Sequence, residues 1–246
     1  MAARHIVFWS LPAIVLVVVL RAQLVRVILG AGEFDWADTR LTAAALALFV
    51  ISLTAQALVM LLVRGYYAAG NTRKPLVANV LSSGFAVLSA YVLLQLFQSY
   101  EGVRSCIEQL LRVSDIPGTE VLMLPLGYAL GMLLNACALL VLFGRDHGSL
   151  FSVLRSVFWK TGFASLVGGA AAYYTLAAMS IVVDMDTFWG ILAQGFVAGI
   201  VGILVIAGVL VLLKSREFTE AWESFHHKFW KETPVVPEGV HPEQEG

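Results

Sequence analysis

Five long stretches without a single charged side chain dominate this sequence, and they limit what it can fold into. Each is longer than the roughly 20 apolar residues that a helix needs to cross a bilayer. They are Leu41–Val63, Pro75–Tyr100, Val121–Gly144, Thr161–Val183 and Thr187–Leu213. A sixth stretch, His5–Leu20, is shorter and reaches spanning length only if its helix continues past Arg21. The sequence therefore predicts six membrane-spanning helices.

The composition also favours helices in a membrane over a soluble fold. Hydrophobic residues make up 59% of the chain and charged residues 13%, whereas soluble domains average about 45–50% and about 25%. A membrane β-barrel would show short segments in which apolar and polar residues alternate. The segment Ile200–Leu213 is instead apolar on every face. We therefore predict an all-α polytopic membrane helix bundle of about six transmembrane helices.

Basic residues are distributed unevenly between the two sides that six spans define. If both termini are cytoplasmic, eleven of the 16 Lys and Arg residues fall inside and five fall outside. The positive-inside rule favours this orientation. We therefore expect a multi-pass protein of the cytoplasmic membrane with both termini in the cytoplasm.

Two segments outside the spans have patterns of their own. The segment Tyr100–Glu120 is partly amphipathic, which predicts that it lies on the membrane or packs against the bundle. Within 215–246, aromatic residues such as Phe218 and Trp222 recur at helical spacing and then give way to a tail rich in Pro and Glu. We predict a cytoplasmic amphipathic helix followed by a disordered tail.

The sequence contains no motif that indicates catalysis or metal binding. His226-His227 is the only pair of adjacent histidines, and adjacent residues do not share a helix face. We therefore predict no catalytic residue, no metal site and no cofactor. The formal net charge of −1 gives no indication of a nucleic-acid partner.

Polar side chains within the spans are the candidates for a transport function. An amide in hydrocarbon is costly without a partner, so each must face a neighbouring helix or a wet cavity. Hydrogen bonding between helices is the structural alternative to substrate contact. Arg21 is the one basic residue within reach of a span interior, although its side chain can also extend outward to the interface. The candidate cavity-lining residues are Arg21, Gln56, Asn79, Ser83 and Asn135.

Two GxxxG spacings occur within the spans, at Gly127/Gly131 and Gly195/Gly199. Such spacings permit helices to approach closely in a membrane. A chain with 21 glycines also produces them by chance, so both explanations stay open.

Three stretches carry a resemblance to a known family. Leu11-Pro12 and Leu20-Arg21 precede the segment 25–34, which ends in Gly-Glu-Phe. Residues 64–75 read Arg-Gly-Tyr-Tyr-Ala-Ala-Gly-Asn-Thr-Arg-Lys-Pro, and residues 127–135 read Gly-Tyr-Ala-Leu-Gly-Met-Leu-Leu-Asn. In order and spacing these stretches resemble the second half of the MurJ/MviN lipid II flippases. That family belongs to the multidrug/oligosaccharidyl-lipid/polysaccharide exporter superfamily.

The resemblance implies a place for each segment of the chain. The six spans would correspond to the last six helices of a fourteen-helix flippase. Residues 1–144 would form four spans of the second transporter lobe, 145–214 two C-terminal groove helices, and 215–246 the helix and tail. Asn71 stands where the family usually has Asp, and Lys74 stands where Thr is common.

The resemblance also implies a function. The chain would be the C-terminal part of a flippase that moves the undecaprenyl-pyrophosphate-linked peptidoglycan precursor across the bacterial cytoplasmic membrane by alternating access. Its implied partners are membrane lipid, the polyprenyl-pyrophosphate-linked substrate and an N-terminal half, missing or separately encoded. The alternatives are another polysaccharide or drug exporter of the superfamily, or a non-transporting scaffold or partner subunit. Candidate residues for a cytoplasmic gate or an anchor to anionic lipid are Arg64, Asn71, Arg73 and Lys74.

Overall fold

The computed structural model describes residues 2–30, 35–148, 151–182 and 187–220. Within these ranges the chain is helical and contains no strand, so the prediction of an all-α bundle is confirmed. The described residues form eight α-helices, α1 (Ala2–Leu29), α2 (Trp36–Ile51), α3 (Leu53–Ala68), α4 (Arg73–Ser99), α5 (Glu101–Leu111), α6 (Met123–His147), α7 (Phe151–Val182) and α8 (Phe188–Leu212). A short 3-10 helix, Thr119–Leu122, leads into α6.

Six helical segments within the described residues are long and apolar enough to cross a membrane, as the sequence predicts. The first span continues past Arg21 to Leu29, so the short stretch at the N-terminus does become a full-length helix. The second span, Trp36–Ala68, consists of α2 and α3 together.

The second span is interrupted at Ser52, a feature that the sequence analysis does not predict. Ser52 is fully buried, and its hydroxyl donates to the carbonyl oxygen of Phe49 at 2.7 Å and accepts from the Gln56 amide at 2.7 Å. Serine competes in this way with the backbone bonds of a helix, which weakens the helix locally. Two residues later, Thr54 Oγ1 lies 2.6 Å from Ser10 Oγ on α1, so the interruption adjoins a polar contact between spans.

The helices pack as two close pairs that are connected through α1, α2 and α3. The helix α4 packs along α6 and α7 packs along α8, while α1 contacts α2, α3, α7 and α8. Glycine permits the closest approaches. A β-carbon added to Gly127 of α6 would lie 2.6 Å from the Cα atom of Ala90 on α4, and one added to Gly202 of α8 would lie 2.6 Å from Leu16 Cδ2 on α1. Since real β-carbons do not approach so closely, position 127 requires glycine or a shift of the helices, whereas at position 202 the Leu16 side chain would have to move.

The segment after α4 packs across one end of the bundle. Leu111, Val113 and Ile116 are buried in one cluster with Phe97 of α4 and Ala44 of α2. Of the two predicted alternatives for this segment, packing against the bundle is therefore the one observed. We call this side of the molecule the α5 end, and the opposite side the Lys74 end.

The chain beyond α8 turns back onto the N-terminus at the Lys74 end. Arg4 forms an ion pair with Glu217, whose second carboxylate oxygen accepts from the Ser215 hydroxyl at 2.8 Å. Residues 216–220 are helical, and 221–246 lie outside the described residues. The predicted amphipathic helix and disordered tail thus fall largely outside the described residues. The division into 1–144, 145–214 and 215–246 stays a prediction.

Candidate functional site at the α5 end

A cleft of about 710 Å³ opens at the α5 end between α1, α2, α7 and the end of α5. We call it the arginine cleft because three arginines line it, each from a different element. The remaining lining is mostly apolar, and it includes no acidic residue among those the structure describes. The lining residues are Val18, Val19, Arg21, Ala22, Gln23, Trp36, Arg40, Ala43, Leu110, Leu111, Arg112, Tyr173, Leu176 and Ala177.

Arg21 enters the cleft from α1. Its side chain is partly buried, and one terminal nitrogen donates to the carbonyl oxygen of Leu111 at 3.1 Å. That carbonyl belongs to the last turn of α5, where helical carbonyls lack partners within the helix. Arg21 therefore caps α5 from a spanning helix and keeps its charge at the wall of the cleft.

Arg40 of α2 forms a bidentate ion pair with one carboxylate. Its two terminal nitrogens each lie 2.7 Å from an oxygen of Asp115, and one of them also donates to the carbonyl oxygen of Arg112. The hydrogen bond from Arg40 lowers the pKa of the Asp115 carboxyl below its ordinary value. Arg40 is thus electrically paired, and it fixes the backbone that carries the third arginine.

Arg112 ends α5 with φ 60° and ψ 46°, in the left-handed region that non-glycine residues seldom adopt. From there its guanidinium donates to the Tyr173 hydroxyl at 3.2 Å and lies 6.0 Å from the centre of the tyrosine ring. Arg112 and Arg21 bring two like charges to the same cleft. Within the part of the chain that the structure describes, neither forms an ion pair with a carboxylate.

The Lys74 end is organised around one carboxylate. Asp146, near the end of α6, accepts from Lys74 Nζ at 2.6 and 2.7 Å and from the Tyr66 hydroxyl at 3.0 Å. The side chain of Asn71 accepts from the backbone amide of Lys74 at 3.3 Å, which helps to start α4. Arg64 and Arg73 are exposed. The motif at 64–75 therefore ties α3 and α4 to α6, and it leaves two cations at the surface.

A sequence model of a protein family, described as lipid II flippase MurJ, matches residues 1–193. The chain belongs to the MurJ lipid II flippase family. No curated protein and no solved structure gave a significant match. The predicted family resemblance is confirmed, and the chain is a multi-pass membrane protein of a transporter family rather than of an enzyme family.

The polar candidates within the spans of this flippase-family chain do not gather at one place. Asn135 of α6 donates to the Oδ1 atom of Asn79 on α4 at 2.8 Å, and its own Oδ1 atom is buried without a hydrogen-bond partner among the described residues. Gln56 bonds to Ser52 within its own span, and Ser83 is exposed on α4. Arg21 lies at the α5 end, in the arginine cleft. Only the Asn79–Asn135 pair brings two of these five candidates into hydrogen-bond contact.

Sequence reasoning missed most of the arginine cleft in this family member. In the sequence, Arg40 and Arg112 resemble ordinary residues of connecting segments. Their neighbouring residues give no sign that the fold brings both side chains to the same cleft as Arg21. Gln23 of α1 was also missed, because its spacing from Arg21 does not predict a shared helix face. Its Nε2 atom lies 3.5 Å from Gln194 Oε1, and the Gln194 amide donates to the Leu176 carbonyl oxygen at 2.9 Å.

Proposed function

We propose that this chain is the C-terminal part of a lipid II flippase, which moves the undecaprenyl-pyrophosphate-linked unit across the bacterial cytoplasmic membrane by alternating access. The observation that carries the proposal is the match of the lipid II flippase family to residues 1–193. Six spans fit such a role, because transporters of this kind hold their substrate between bundles of helices near the middle of the membrane.

The α7–α8 pair is suited to the lipid part of the substrate. Residues 161–182 and 188–212 contain no charged side chain, and the described surface of both helices exposes large apolar residues such as Leu166, Phe196 and Leu204. An isoprenoid tail can lie against such a surface while it remains in the bilayer. The head group needs a different environment, because an unpaired phosphate in hydrocarbon is expensive.

The proposed partner is an N-terminal half that supplies cations in the middle of the membrane. The uncharged stretches of the last five spans contain no arginine or lysine, and the three arginines of the cleft lie at one end of the bundle. A diphosphate that crosses the membrane centre therefore requires positive charge from another set of helices. We place the chain with both termini in the cytoplasm and assign it no catalytic step.

Reconstitution tests this proposal. Liposomes carrying fluorescent lipid II are prepared with the chain alone, with an eight-helix first half from the same family alone, and with both, and lipid II that reaches the opposite leaflet is measured. We expect background transfer from either part and transport from the two together. Transport by the chain alone would contradict the need for a partner. Correctly folded halves that associate without transport would favour the scaffold alternative.

A further inference from the structure

We propose that the arginine cleft binds the diphosphate of an isoprenoid lipid, so that this chain itself contacts the substrate head group at the α5 end. The identity of the lipid rests on the proposed function. The site itself rests on Arg21, Arg112 and Tyr173, which share one cleft.

Charge is the first argument. Arg21 and Arg112 line the same cleft without a carboxylate partner among the described residues, and like charges placed together repel. An anion placed between them relieves this repulsion, and two guanidiniums match the two or more negative charges of a diphosphate. Arg40 does not add to this charge because Asp115 pairs with it.

Unused hydrogen-bond donors are the second argument. A guanidinium carries five N–H donors in a planar fork that matches phosphate geometry. The structure uses one terminal nitrogen of Arg21 for the Leu111 carbonyl and one of Arg112 for the Tyr173 hydroxyl. These bonds fix the direction of each guanidinium and leave further donors for phosphate oxygens.

The backbone of Arg112 is the third argument. Arg112 adopts the left-handed conformation that commonly closes the last turn of a helix, here α5. Here the Arg40 side chain holds the Arg112 carbonyl while Tyr173 holds its guanidinium. The position of the cation is therefore set before any ligand binds, which reduces the ordering cost of binding.

The lining of the cleft favours a lipid over a free anion. Val18, Val19, Leu176 and Ala177 contribute an apolar wall on α1 and α7. A volume of about 710 Å³ exceeds the space that a phosphate fills and is typical of pockets for larger ligands. The wall belongs to spanning helices, so the first isoprene units can lie against it while the diphosphate meets the arginines.

Binding to the full chain in a neutral detergent tests the site. The probes are farnesyl diphosphate, inorganic pyrophosphate and phosphatidylglycerol. We expect farnesyl diphosphate to bind most tightly and Arg21→Gln to weaken it by about tenfold or more, because each charged hydrogen bond contributes about that much. Arg112→Asn should do the same, since Asn tolerates the left-handed conformation. Arg104→Gln is the matched control, because Arg104 lies on α5 outside the cleft and pairs with Glu108.

Each outcome decides a part of the proposal. Unchanged affinity in the Arg21→Gln/Arg112→Asn double variant would overturn the site, and so would an equal loss in Arg104→Gln. Equal binding of inorganic pyrophosphate or of phosphatidylglycerol would overturn the choice of a diphosphate lipid. Tyr173→Phe keeps the aromatic ring and removes the hydroxyl that accepts from Arg112. We expect a partial loss of affinity for farnesyl diphosphate, which tests the position of the Arg112 guanidinium even if Arg112→Asn fails to fold.

The site and the proposed function can fail separately. If the double variant of this chain, reconstituted with the first half, transports at the wild-type rate, the proposed function stands and the proposed site is wrong. If farnesyl diphosphate binds tightly and this binding depends on the two arginines, but the reconstituted halves do not transport, the proposed site stands and the proposed function is wrong.

Discussion

Lys74 Nζ lies 2.6 Å from a carboxylate oxygen of Asp146, so the first turn of α4 is joined to the last turn of α6. The same carboxylate accepts from the hydroxyl of Tyr66, a side chain with no exposed surface. One acidic residue thus holds three of the spanning segments together at the Lys74 end.

Asp146→Ala should destabilise the protein more than Lys74→Gln does. The lysine and aspartate side chains are 40% and 28% exposed, so the ion pair by itself contributes about 1 kcal/mol or less. Asp146→Ala also removes the acceptor of the Tyr66 hydroxyl, which adds to the loss. Thermal unfolding in detergent measures the difference. Arg64→Gln, an exposed substitution at the same end, should have little effect, and an equal loss there would show that the ion pair is not responsible.

Gly127→Ala should weaken the packing of α4 on α6. The added methyl group would lie 2.5 Å from Ala90 Cβ and 2.6 Å from Ala90 Cα, and overpacking of this kind typically costs about 1–3 kcal/mol. Gly84→Ala on α4 is the matched control, because a β-carbon there meets nothing within 4 Å and alanine favours a helix over glycine. Equal melting temperatures for the two variants would contradict the close packing.

Stability should fall at acidic pH through Glu108. This buried carboxylate accepts from the Thr119 hydroxyl at 2.7 Å and from Arg104 at 3.0 Å. The hydrogen bond from Thr119, with the smaller effect of Arg104, lowers its pKa below the ordinary value of 4.5. Because the folded pKa is the lower one, the stabilisation is complete above pH 4.5 and is lost as the pH falls through the folded value.

Glu108→Gln should therefore flatten the decline in melting temperature below pH 4.5. Glu101→Gln, an exposed change at the start of the same helix, should follow the wild-type curve. Parallel curves for wild type and Glu108→Gln would show that Glu108 does not contribute.

Reporter fusions should place both termini in the cytoplasm. The motivation is the distribution of eleven basic residues inside and five outside. Fusions after Lys74, Asp146 and Gly246 should report the cytoplasm, and a fusion after Gly118 should report the opposite side. A periplasmic signal at Lys74 would reverse the orientation.

The spans could be predicted from the sequence because their signal is local. Uncharged apolar stretches of sufficient length must be helices in lipid, since the backbone has to satisfy its own hydrogen bonds. The same reasoning cannot detect the interruption at Ser52, because a serine in an apolar run is equally compatible with an unbroken helix. The relevant signal is tertiary, as the partly buried polar contact of Thr54 with Ser10 shows.

The candidate site was predicted only in part, for a related reason. Arg21 was identified because it stands out within an apolar helix. Arg40 and Arg112 reach the same cleft through the folding of α5 across the end of the bundle and through a left-handed backbone at Arg112. Neither a hydropathy profile nor residue spacing reports such convergence. The first GxxxG spacing is a case in which a local pattern does mark a tertiary contact. Gly127 and Gly131 lie against Ala90 and Ala86, although from the sequence a chance occurrence explained the spacing equally well.

The packing of α1 has a consequence for how the protein is made. Although α1 precedes α7 and α8 in the chain, its residues Val15 and Leu16 lie against Gly169 of α7 and Gly202 of α8. During synthesis α1 therefore enters the membrane well before these partners exist, and lipid must solvate it in the meantime. The middle of α1, Ile14–Leu20, is apolar on every face and is therefore compatible with contact to lipid during that time. The bundle closes only when the last two spans arrive, so a chain that stops before α7 leaves the part of α1 that packs on α7 and α8 exposed to lipid.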